Sequence, residues 1–237
     1  MMEIYNNIYS ANRTGNLAAY SALMRKVYVW MTLALCITGL TAFYVASSPN
    51  LIGAIISNRI LFFGLIIGEL ALVMGLVSAI NRISFSTATM LFILYSILNG
   101  ATLSMILLVY TRASIASTFF ITAGTFAGMA FVGYTTKKDL SKMGGILIMG
   151  VIGLVIATVV NMFVASSMLD WIISYLGVAI FVGLTAYDAQ KIKDMLRTYG
   201  TEVNDETQKI ALLGSLRLYL DFVNLFLYLL RIFGKRN

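Results

Sequence analysis

No histidine occurs among the 237 residues. Its absence excludes nucleophiles activated by imidazole, histidine metal sites and imidazole pH sensing in one step. A single cysteine, Cys36, can close no disulfide within the chain and build no thiolate cluster. Proline occurs once, at Pro49. Charge is equally scarce: 11% of residues are charged and 59% are hydrophobic, whereas a water-soluble domain carries about 25% and about 45–50%. The composition therefore predicts an all-α integral membrane protein whose chemistry falls to carboxylates, amides, hydroxyls and basic side chains.

What is present is a succession of long apolar runs. A helix rises roughly 1.5 Å per residue and must cover roughly 30 Å of hydrocarbon, so about 20 apolar residues make one crossing. Runs of that order lie at 27–46, 60–80, 87–110, 114–134, 144–166, 171–188 and 210–233. They predict one transmembrane domain over 1–237, a seven-helix bundle preceded by a polar segment, 1–26. That segment is too long and mixed for a cleavable leader and is expected to stay in place. Ser47-Ser48-Pro49-Asn50 reads as a turn, and the charged stretch 190–209 as the longest loop. Glycines recur inside the spans at Gly124, Gly128, Gly144, Gly145, Gly150 and Gly153, which suits close helix contact in lipid.

Lys and Arg in the short loops set the orientation. With the amino terminus in the cytoplasm, Arg13, Arg25, Lys26, Arg82, Lys137, Lys138, Lys142, Lys191, Lys193, Arg197 and Lys209 fall inside. Arg59, Arg112, Arg231, Lys235 and Arg236 fall outside. The basic tail leaves two alternatives: it stays outside, or the last segment folds back to the cytoplasm. The net charge of +7 is accounted for by loops meeting anionic lipid headgroups and calls for no nucleic acid.

Three acids stand where a membrane makes them costly: Glu69, Asp188 and Asp221. Each costs about 2.5–3.5 kcal/mol at mid-depth, so each is expected to face a partner, a cavity or water. In the last span Arg217, Asp221, Asn224 and Tyr228 are spaced four, three and four apart and share one helical face. Leu218, Phe222, Leu225, Leu229 and Ile232 occupy another. A polar stripe on an apolar helix predicts a central position in the bundle. Arg217 either neutralises Asp221 one turn away or takes part in a site. Asp188 and Asp221 meet only if the charged connector enters the bundle or the sixth helix outruns the membrane. If they meet, two close carboxylates cannot both ionise cheaply and titrate as a unit. Arg82, at the end of the second span, is a candidate partner for Asp188.

The residues that carry these charges form a recognisable pattern. Tyr219-Leu220-Asp221-Phe222-Val223-Asn224-Leu225-Phe226 followed by Leu229-Leu230-Arg231, Tyr187-Asp188 before Gln190-Lys191-Ile192, and Tyr134-Thr135-Thr136-Lys137-Lys138-Asp139-Leu140 occur in that order. Together they resemble the signature of the Bax inhibitor-1 family, in its bacterial form. The resemblance runs from Arg25 to Gly234. It implies a last helix wrapped by the other six, and a pH-sensitive calcium leak gated by aspartates matching Asp188 and Asp221. It also implies an arginine latch, matched by Arg82, and a bacterial inner membrane as the location.

Competing functions divide on these features. A cation leak would use Asp188, Asp221 and Glu69 as hard oxygen ligands for Ca²⁺, with no other cofactor. A non-transporting protein would instead bind a partner such as a membrane AAA protease complex through its polar amino terminus and the connector. Intramembrane aspartyl proteolysis is disfavoured, because Asp221 follows Leu218-Tyr219-Leu220 rather than Gly-x-Gly and no proline follows Pro49. The expectation is a protein that is not an enzyme.

Overall fold

In the computed structural model the backbone is described from residue 2 and the surroundings of side chains from residue 17 to residue 237. The expectations for Arg13 and most of the segment 1–26 therefore lie outside the described residues. Nine helices follow one another among the described residues: α1 (Met2–Ser47), α2 (Pro49–Ser57), α3 (Arg59–Ala79), α4 (Phe85–Leu103), α5 (Ile106–Val109), α6 (Arg112–Thr135), α7 (Ser141–Val164), α8 (Ser167–Tyr199) and α9 (Asp205–Phe233). Seven helical stretches are long and apolar enough to cross a membrane, with α4 and α5 making one crossing. In α9, 61% of the most apolar stretch is buried, against 6–33% in the other six. Side chains such as Phe163, 85% exposed on α7, fit only a lipid-facing surface.

Several boundaries differ from the sequence pattern for local reasons. Pro49 does not end a turn but begins α2, sitting at its first position, where a missing N–H costs nothing. Asn58 then caps α3 by accepting hydrogen bonds from the backbone of Ile60 and Leu61. Span 87–110 is interrupted at Ser104, whose hydroxyl donates to the Ala101 carbonyl at 2.6 Å and so competes with the helical ladder. Ahead of residue 27, α1 is already helical, and Leu23, Val27, Met31, Ala34 and Thr38 form one buried stripe.

The largest correction concerns the connector. Residues 190–199 continue α8, and α9 begins at Asp205, so only five residues link the two. Ile192 and Leu196 are buried while Asp194 and Arg197 are exposed; an amphipathic helix had been hidden among charges. Asn204 and Thr207 bond reciprocally, backbone to side chain, at 3.0 Å each, fixing where α9 starts.

The chain forms two compact units. The first comprises residues 1–104 and 192–216. Here α4 packs on α1 and α3. The α1–α4 approach is tight at Gly100, where a Cβ would fall 2.5 Å from the Thr38 carbonyl oxygen. The Thr38 hydroxyl donates across the same seam to the Ser96 carbonyl at 3.0 Å.

The second unit comprises residues 105–191 and 217–237. Phe222 of α9 meets Phe119 and Phe126 of α6 edge-on, with ring centres 5.5 Å apart in both pairs. The tail after α9 is tied to the α5–α6 junction: Tyr110 and Arg236 form an antiparallel bridge, Thr111 N–H donates to the Lys235 carbonyl at 3.0 Å, and Asn237 N–H donates to the Val109 carbonyl at 2.9 Å. The basic tail thus lies at the α5–α6 junction.

Candidate functional site

The long reach of α8 is what brings the two aspartates together. Asp188 lies eleven residues before the end of α8 and Arg217 twelve after the start of α9, so a tight helical hairpin sets these two level, with Asp221 one turn further along α9. Both aspartates are buried, Asp188 at 7% and Asp221 at 4% exposure. Asp221 Oδ2 receives no hydrogen bond, a costly state for a buried acceptor.

One cation closes the pair. Arg217 Nη1 donates to Asp188 Oδ1 at 3.4 Å, its own side chain 46% exposed. The i, i+4 pairing of Arg217 with Asp221 is thus replaced by a bond across to α8. Lys191, one turn beyond Asp188, also adds a favourable field there, with its ammonium donating to the Tyr187 hydroxyl at 3.1 Å.

The site rests on two glycines and one amide. A Cβ on Gly133 of α6 would fall 2.0 Å from the Ala186 carbonyl oxygen, and one on Gly144 of α7 would fall 2.3 Å from the Tyr187 ring. These contacts bring α6 and α7 against α8 immediately before Asp188. Two residues after it, buried Gln190 reaches the α6–α7 loop: Nε2 donates to the Lys138 carbonyl and Oε1 accepts from Leu140 N–H, both at 2.8 Å. Within that loop, hydrogen bonds from Ser141, side chain first and backbone second, hold the exposed Asp139 carboxyl below the usual carboxylate range. Gln190→Leu removes two part-buried hydrogen bonds and is expected to cost about 1–3 kcal/mol, read as a lowered Tm of the purified protein.

Glu69, Arg82, Asn224 and Tyr228 are the other sequence candidates. Glu69 belongs to the first unit, where it accepts hydrogen bonds from Asn99 Nδ2 at 3.0 Å and from the Thr102 hydroxyl. Arg82 lies exposed in the turn after α3, also in the first unit. Asn224 donates to the Leu220 carbonyl of its own helix at 2.8 Å. Tyr228 stacks on Phe181 at 5.8 Å over Gly177. The polar stripe on α9 therefore divides. Asp221 is buried, Arg217 is exposed, and the apolar residues Leu218, Phe222, Leu225 and Leu229 are as deeply buried as Asp221. Sequence reasoning missed Gln190 and Gly133 as supports, while Gly144 was already among the glycines suited to helix contact; a glutamine two residues past an intramembrane aspartate was the available signal for the first.

Fold and site define a polytopic helical membrane protein with two buried aspartates on its last two spans. The chain belongs to the Bax inhibitor-1 family, matching the family described as "Inhibitor of apoptosis-promoting Bax1" over residues 20–237. It is 50% identical to inner membrane protein YbhL of Escherichia coli strain K12 over 220 residues, covering 93% of this chain and 94% of that one. It is 48% identical over 217 residues to an uncharacterized protein of Borreliella burgdorferi, covering 90% and 92%. A Rickettsia prowazekii protein is 42% identical over 217 residues, covering 90% and 89%.

Proposed function

We propose that this protein is a pH-sensitive leak for Ca²⁺ across a bacterial inner membrane, gated by Asp188 and Asp221, with its amino terminus in the cytoplasm. The observation that carries the reading is two buried aspartates joined through one arginine: Asp188 is bonded to the half-exposed Arg217 guanidinium, and Asp221, one turn from that arginine, keeps one oxygen unsatisfied. While Asp188 is ionised it holds Arg217 by a charge-assisted bond. Protonation of the pair removes that attraction, and Arg217 then turns to water along its flexible stem.

Ca²⁺ takes 6–8 oxygens when held as a resident ion, and no group of three or more metal-binding acids occurs among the described residues. Two carboxyls make a step for an ion in passage. The ion is cargo, no covalent bond changes, and no enzyme activity or resident cofactor enters the reading. Similarity to an Escherichia coli protein named for the inner membrane supports the location.

Ca²⁺ flux into vesicles holding purified protein tests this at about pH 6 and about pH 8, a range that a close carboxyl pair can reach. Wild-type flux is expected to change several-fold between the two, and Asp221→Asn flux to be the same at both. A protein that acts only by binding a partner such as a membrane AAA protease would pass no more Ca²⁺ than empty vesicles, which overturns the proposal.

A further inference from the structure

A cavity of about 280 Å³ in the first unit is lined by Ile80, Asn81, Glu206, Lys209, Ile210 and Leu213. Its walls are two unrelated stretches of chain, and each changes from polar to apolar at the cavity. On one wall α3 ends, apolar through Ile80, and the polar turn begins at Asn81. On the other, the charged first turns of α9 give way to its membrane run between Lys209 and Ile210. Glu206, Lys209, Ile210 and Leu213 follow at intervals of three, one and three, which aligns them on one face of α9. The cavity thus has an aliphatic floor of Ile80, Ile210 and Leu213 and a polar rim of Asn81, Glu206 and Lys209, at the level where lipid headgroups meet acyl chains.

We propose that this cavity binds the headgroup of a zwitterionic phospholipid carrying a primary amine, of the phosphatidylethanolamine class. The rim offers one anion and one cation. Glu206 and Lys209 are in neither of the two ion pairs found among the described residues, so both remain open to a ligand of opposite charges. Lys209 suits the phosphate, and Glu206 suits an ammonium that still has N–H bonds to donate. A choline headgroup, fully methylated, cannot donate to Glu206. A glycerol headgroup brings no cation to it. The volume falls near the lower end, about 300 Å³, of small-ligand sites, so the headgroup enters and the acyl chains stay outside along the helices. The wall is fixed before any lipid arrives: the Asn204–Thr207 cap sets α9, and Lys26 Nζ donates to Gln208 Oε1 at 2.5 Å beside it.

Native mass spectrometry of the full chain in detergent, offered equal amounts of dioleoyl phosphatidylethanolamine, phosphatidylcholine and phosphatidylglycerol, tests this. Phosphatidylethanolamine is expected to be retained about threefold over each of the others, the scale of one exposed ion pair. Glu206→Gln should erase its advantage over phosphatidylcholine, and Leu213→Trp, which fills the floor, should erase retention of all three. Glu206 is exposed, so its variant tests binding without disturbing the core. Equal retention of the three lipids by the wild type, or a preference that survives both variants, overturns the proposal. Displacement of the lipid by an equal concentration of O-phosphoethanolamine also overturns it, since the ligand would then be a soluble phosphorylated amine.

Discussion

Gly133→Val is expected to leave almost no folded protein, and Gly133→Ala only a small, heat-labile fraction. A Cβ at this position would stand 2.0 Å from the carbonyl oxygen and 2.7 Å from the carbonyl carbon of Ala186. Both are backbone atoms of α8, so no rotamer change relieves the clash, and α6 and α8 must separate along their length. Ordinary overpacking costs about 1–3 kcal/mol where side chains can shift; a backbone collision exceeds that and reaches the range above about 4 kcal/mol where marginal folds are lost. Gly128→Ala is the control. It lies on the same helix with open space around its would-be Cβ, so it should be neutral or raise stability by up to about 1 kcal/mol through helix propensity. The monodisperse fraction after detergent extraction and its Tm check both. If Gly133→Ala behaves like Gly128→Ala, the α6–α8 approach is looser than described, and the support under Asp188 goes with it.

These two glycines show where sequence reading stops. Hydropathy alone located the seven crossings, because a crossing is defined by run length and the missing charges are visible in one dimension. The rule that small residues mark helix contacts was right as a class and wrong at individual positions: Gly144 and Gly150 meet neighbouring side chains, but Gly124, Gly128, Gly145 and Gly153 meet nothing within 4 Å. Which glycine faces a helix and which faces lipid depends on rotation about the helix axis, and α6 and α7, apolar nearly all round, carry no pattern that fixes rotation.

The aspartates were legible as an intramembrane cost. The bond that ties α9 to Asp188 through Arg217 was not, because residues 190–199 carry enough charge to resemble a loop while Ile192 and Leu196 keep a helical register inside it. Glu69 was legible as a candidate in the same way, yet its hydrogen bonds go to Asn99 and Thr102. A polar neighbour on the next span satisfied it locally, and spacing within one span could not reveal that.

Arg217→Leu is expected to leave the leak open at both pH values and to lower stability by about 1–3 kcal/mol. Removing one partner of a buried ion pair costs about 3–5 kcal/mol; here the guanidinium is nearly half exposed and bonds at a long 3.4 Å, so solvent screening reduces the loss. The sequence suggested Asp221, one turn along the same helix, as the residue Arg217 neutralises, whereas the bond runs to Asp188. Two mutant cycles separate these. With Asp188→Asn, the Arg217 change should be strongly non-additive, by about 1 kcal/mol, because either single change breaks the same bond. With Asp221→Asn the coupling should be smaller, since only the longer-range field between the two residues is lost. If the larger coupling falls to Asp221, Arg217 serves its own helix, and α8 must be released by some group other than this arginine. The flux measurement supplies the second reading: a restraint that works through Asp188 is lost equally in Arg217→Leu and Asp188→Asn, so both should abolish the closed state, while Asp221→Asn, which keeps the Arg217–Asp188 bond, should retain it.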